Sequence, residues 1–63
     1  MIIISENQKT ILKKYKIDYN TDDINELLKR IDFEMTKYVD KNDEPLKDFL
    51  ILEKIYDEIY DQN

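Results

Sequence analysis

The sequence predicts an all-α fold: a small three-helix domain spanning residues 1–63, built on an antiparallel helical hairpin, with helices at about 5–16, 21–41 and 44–61. Three observations carry this. Apolar residues recur at three- and four-residue steps through Ile24–Val39 and again through Leu46–Tyr60, the period of a helix with one buried face. The chain has no Gly and one Pro, so its turns must be built from Asn, Asp and Thr, which fall between the periodic stretches. Ser5 stands three residues before Gln8, the pattern of a reciprocal capping box.

The first helix is expected from about Glu6 to Lys16, presenting Ile11, Leu12 and Tyr15. Upstream, Met1–Ile4 reads either as a lead-in or as a short β-strand, since Ile favours extended structure. Lys16–Asn20 breaks the helical period, and Thr21 or Asn20 is the expected N-cap of the second helix. That helix aligns Ile24, Leu27, Leu28, Ile31, Met35, Tyr38 and Val39 and is expected to end near Asp40–Lys41. Asn42-Asp43-Glu44-Pro45 reads as a short loop with Pro45 in the first turn of the third helix, where a missing N–H is harmless. The third helix presents Leu46, Phe49, Leu50, Leu52, Ile55, Tyr56, Ile59 and Tyr60, with Phe49-Leu50-Ile51-Leu52 wrapping more than one stripe. A short link between the two longer helices implies antiparallel neighbours, with the first helix across them.

Composition narrows the chemistry. A chain of 63 residues buries only about 60% of the surface its unfolded form exposes, so stability is marginal without extra support. There is no Cys for a disulfide and no His, which removes Ser-His-Asp and Cys-His catalysis and the usual zinc and haem ligands. The absence of Gly removes phosphate-cradling loops. No cofactor or metal site is expected. No apolar run has a signal peptide's length or the ~20 residues of a membrane span, so a cytoplasmic protein without membrane contact is expected. Abundant Ile, Lys, Asn and Tyr with almost no Ala, Gly, Arg or Pro points to an AT-rich gene.

The chain ends in a doubled phrase, Ile-Tyr-Asp at 55–57 and 59–61. On a helix it stacks Ile55 over Ile59, Tyr56 over Tyr60 and Asp57 over Asp61. The Ile and Tyr rows are expected to form a wide core face, and the Asp row, continued by Glu53, a solvated one. Glu53, Asp57, Glu58 and Asp61 lie in the last turns, where the helix dipole disfavours anions, which suggests that a basic partner holds them there. The net charge of −5 is concentrated toward the C-terminal half, whereas Lys9, Lys13, Lys14 and Lys16 make the start basic. That basic run is short and complements its own helix end, so direct nucleic-acid contact is not expected. Asp18-x-Asn20-x-Asp22 opens like a calcium loop, but its sixth and twelfth positions are Asp23 and Lys29 instead of Gly and Glu; it reads as turn chemistry.

Three motifs, Ile11-Leu12-Lys13-Lys14-Tyr15-Lys16-Ile17, Arg30-Ile31 and Asn42-Asp43-Glu44-Pro45 opening a final helix, follow one another over about two-thirds of the chain. In that order they resemble a family of short helical proteins carried by phages and conjugative elements of low-GC Gram-positive bacteria. The family has no established activity, so the resemblance implies a home on mobile DNA more than a mechanism. Glu53-Lys54-Ile55-Tyr56-Asp57 is also similar, at Asp57, to the Ser-Gln-x-Leu-Asp signature of a short aspartyl-phosphate phosphatase family of sporulation control. That likeness implies an acid and an amide placed beside a response regulator's phosphoaspartate.

The expected function is a small acidic protein-binding accessory or regulatory protein, an inhibitor encoded on a mobile element, with no catalysis of its own. Its expected partner is a basic or nucleic-acid-binding protein, met by Glu53, Asp57, Glu58, Asp61, Tyr56 and Tyr60. The alternatives are the phosphatase-like hairpin and an oligomeric structural protein, a homodimer through the third helix.

Overall fold

The computed structural model describes residues 2–63 and contains three helices: α1 (Glu6–Lys14), α2 (Ile24–Met35) and α3 (Lys47–Gln62). α1 starts as its sequence dictates. Ser5 Oγ accepts the Gln8 N–H at 3.2 Å, and Gln8 Oε1 accepts the Ser5 N–H at 2.9 Å, closing the capping box. The helix stops two residues sooner than expected. Lys16 takes a left-handed conformation (φ 58°), its N–H bonds the Lys13 carbonyl, and the Ile17 N–H reaches back to the Leu12 carbonyl at 2.9 Å. This is the Schellman arrangement, with Lys where Gly is usual, at a cost of about 1–2 kcal/mol. Burying Ile17 against fully buried Leu12 offsets that cost.

The segment 17–23 is a chain of local side-chain turns. Asp18 Oδ1 accepts the Asn20 N–H, Thr21 Oγ1 the Asp23 N–H, and Asp23 Oδ1 the Asn25 N–H. Turn chemistry was the expectation here, but the N-cap of α2 is Asp23, not Thr21 or Asn20. Thr21 is already committed to its own turn. Arg30 fastens the segment to α2, its Nη1 donating to the Asp18 carbonyl at 2.9 Å.

α2 is shorter than the sequence suggests, and it ends before Tyr38 and Val39. Thr36 Oγ1 bonds the Phe33 carbonyl at 2.6 Å, and the following turns are tighter, with the Lys37 and Tyr38 N–H groups reaching Glu34 and Met35. Tyr38 then packs edge-on against Tyr15, ring centroids 5.5 Å apart at 71°. Val39 forms an antiparallel bridge with Pro45, flanked by the hydrogen bonds Leu46 N–H to Tyr38 O and Asp40 N–H to Glu44 O, each 2.9 Å. Pro45 therefore occupies the non-hydrogen-bonded position of the bridge, where its missing N–H costs nothing, and not the first turn of a helix. The tip is held by Asp40, whose Oδ1 accepts from Asn42 and Glu44, while Asp43 is left-handed (φ 61°). The expected very short link is thus a structured loop over residues 36–46, and α3 begins at Lys47, not at Glu44.

The architecture is the all-α three-helix domain, with α2 and α3 closely packed. The start of α2 (Ile24, Asn25) lies beside the end of α3 (Tyr60, Asn63), so the pair is antiparallel. Gln8 meets Gln62 and Tyr15 meets Asp48, so the start of α1 lies near the end of α3 and the end of α1 near the start of α3. One core gathers Leu12, Tyr15 and Ile17 with Leu27, Leu28, Ile31 and Met35 of α2 and Leu52, Ile55 and Ile59 of α3.

Residues 2–4 form no strand; Met1 lies outside the described residues. Ile3 instead bonds side chains at the end of α3: its N–H donates to Asn63 Oδ1 at 2.9 Å, and its carbonyl accepts from Gln62 Nε2 and Asn63 Nδ2 at 3.1 Å. Gln62 also exchanges amide hydrogen bonds with Gln8, the one buried polar residue among those described. Amide side chains take the place of a partner strand.

Candidate functional site

Successive residues of α3 are turned by about 100°, so the direction each faces follows from its number. Leu52, Ile55 and Ile59 face the core and are buried. Tyr56 is half-buried, but Tyr60 is 64% exposed, so the tyrosine row is core for only one of its two members. Opposite Tyr60 the first turn of α2 offers Asn25, too short and polar to cover a ring.

The six residues nominated from the sequence divide three ways. Glu53, Asp57 and Asp61 point away from the bundle and are exposed. Tyr56 and Tyr60 border a groove of about 460 Å³ over α2, with Asn25, Leu28, Lys29 and Asp32. Glu58 is half-buried on the other flank, in a groove of about 290 Å³ with Ile11, Lys14, Ile51 and Lys54. None of the four acids joins an ion pair among the described residues; the pairs that form are Lys9–Glu6, Lys37–Glu34 and those of Arg30 with Asp18 and Glu26.

Sequence reasoning placed Leu46 and Leu50 on the apolar side of the third helix. The structure exposes them by 43% and 53%, and Leu50 falls on the same outward face as Asp57 and Asp61. Phe33, 67% exposed beside Lys37 Nζ at 5.4 Å from its ring, was also missed. Its position off the apolar stripe of α2 was the available signal.

The most perturbed side chains lie at the other end of the bundle. The Tyr15 hydroxyl donates to Asp48 Oδ1, and Tyr38 reaches Glu34 Oε1 at 3.4 Å. The hydrogen bond to Asp48, then burial, then the carboxylate's charge push the Tyr15 hydroxyl up to about 12. Burial and Glu34 raise Tyr38 as well. Tyr15 therefore keeps its proton near neutrality and serves as a latch between α1 and α3, not as a base. Because its folded value is raised, its contribution to stability is complete below the ordinary tyrosine range, near 10, and is lost as pH rises through about 12. Tyr15→Phe is expected to cost roughly 1–2 kcal/mol at neutral pH and to remove a late-titrating component from the alkaline tyrosinate absorbance curve. An unchanged curve would place the raised group elsewhere.

What can the arrangement do chemically? Among the described residues no three His, Cys, Asp or Glu side chains gather to hold a metal, and no helix is long and apolar enough to cross a membrane. Asp57 has Lys54, not an amide, one turn before it, and Gln8 and Gln62 are bonded to each other near the end of the bundle. What α3 does present is an exposed acidic row with exposed Leu50 and Tyr60 beside it. No family model matches the sequence, and no curated protein or solved structure matches it.

Proposed function

We propose that this chain is a small acidic protein-binding accessory or regulatory protein, an inhibitor carried by a mobile element, that docks a basic protein segment on the outward face of α3 and performs no catalysis of its own. The observation that carries the reading is the exposed row Glu53, Asp57 and Asp61, free of ion pairs among the described residues, on a face that also exposes Leu50. Charge of one sign steers a basic partner, and the apolar side chain adds area that leaves water on docking. The row is held at a cost, because Asp61 in the last turn of α3 loses about 0.3–1 kcal/mol to the helix dipole and Asp57 repels Asp61 one turn away. A small domain keeps such a row for an outside cation.

Stability and binding then move in opposite directions. Asp57→Asn with Asp61→Asn is expected to raise the melting temperature slightly while weakening capture of a basic protein from host lysate at least tenfold. Binding unchanged by the double substitution would remove the reading. Neighbouring genes of phage or conjugative type would support the mobile-element part of it.

A further inference from the structure

We infer that α3 carries a self-complementary face that pairs, antiparallel, with α3 of a second copy of this chain. The face is written in Lys47, Leu50, Lys54, Asp57 and Asp61, which follow one another at the three- and four-residue steps of a helix–helix seam, with Ile51 beside Leu50 at its edge. Leu50 is 53% exposed at the centre of this seam, and half-buried Ile51 stands at its edge, toward the groove against α1. Along the seam the cations Lys47 and Lys54 come first and the anions Asp57 and Asp61 after them, with exposed Glu53 at its margin. None of Lys47, Lys54, Asp57 and Asp61 has an intrachain ion pair among the described residues.

That order chooses the occupant. Two copies side by side in parallel would set Lys47 on Lys47 and Asp61 on Asp61. Antiparallel, each Lys47 meets the Asp57 of the other copy, and Leu50 and Ile51 lie along the aliphatic stem of the other Lys54. The start of α3 has no side-chain cap, so its N–H groups and dipole present positive charge to the second copy's acidic turns. Identical patches meeting across a two-fold axis close on themselves, so association stops at two. The inference goes beyond a basic partner but shares Asp57 and Asp61 with it. The two occupants therefore exclude each other, and a dimer is measured without any partner present.

Sedimentation equilibrium over a wide range of concentrations tests it. The chain is expected to approach twice its own mass. Lys47→Glu alone and Asp57→Lys alone should each weaken self-association at least tenfold, and an equimolar mixture of the two should regain it as a heterodimer, because each restored pair joins unlike charges. Leu50→Asp, at an exposed position that leaves the helical circular dichroism unchanged, should also give a monomer. A chain that stays monomeric throughout overturns the inference. So does a dimer that survives these substitutions, or a mixture that fails to recover one.

Discussion

Leu52→Ala is expected to unfold most of the molecules at room temperature, whereas Leu50→Ala, two residues away, leaves the fold intact. Leu52 is fully buried in the core that all three helices share, while Leu50 is 53% exposed. Truncating a buried Leu costs about 2–5 kcal/mol, the lost transfer energy plus the cavity left behind. A domain this small rarely has more than about 3–5 kcal/mol in all. The loss is therefore comparable with the whole stability. The exposed position removes no packed atoms, and its expected change is within about 0.5 kcal/mol. Thermal melts followed by circular dichroism, at concentrations where the chain is monomeric, separate the two. Equal losses at both positions would mean that α3 is rotated about its axis so that Leu50 is packed as well.

The second large effect lies at the end of α3. Gln62→Ala together with Asn63→Ala is expected to destabilise the fold by roughly 2–3 kcal/mol, although both residues are exposed. The reason is what they leave behind. Gln8 is 4% exposed, and its amide is paired by Gln62; without that partner a buried donor has nowhere to turn. The Ile3 N–H and carbonyl lose their partners at the same time. Amide exchange at Ile3 should accelerate first, because the clamp opens before the core does. Protection at Ile3 that survived the double substitution would show that residues 2–4 are held by something other than these amides.

The acidic face was partly legible. Spacing by four residues on a helix aligns Glu53, Asp57 and Asp61 wherever the helix lies, and the three are exposed together. Glu58 was grouped with them because it is acidic and near in sequence, yet one residue of rotation carries it to the flank facing α1. Leu50 went unread as part of the face. In a run of four apolar residues, periodicity does not say which members a neighbouring helix will cover.

The loops show the same boundary between near and far. The capping box of α1 and the Asp turns of residues 18–23 depend on atoms two or three residues apart, so their residue types announce them. The end of α2 does not. Tyr38 and Val39 continue its apolar stripe, but Tyr38 has a better contact in Tyr15 and Val39 a bridge with Pro45, neither visible along the chain.

By itself, then, the sequence determined three amphipathic helices, their approximate places, and the chemistries excluded by the lack of His, Cys and Gly. These are properties of composition and of a period of 3.6, both complete within a few turns of chain. Only the tertiary structure decided which leucine is core, where α2 stops, and that Tyr15 meets Asp48, Gln8 meets Gln62 and Ile3 meets Asn63. Those pairs are separated by 33, 54 and 60 residues. A hydrogen bond across such a distance exists only after burial of the apolar stripes has brought the helices side by side.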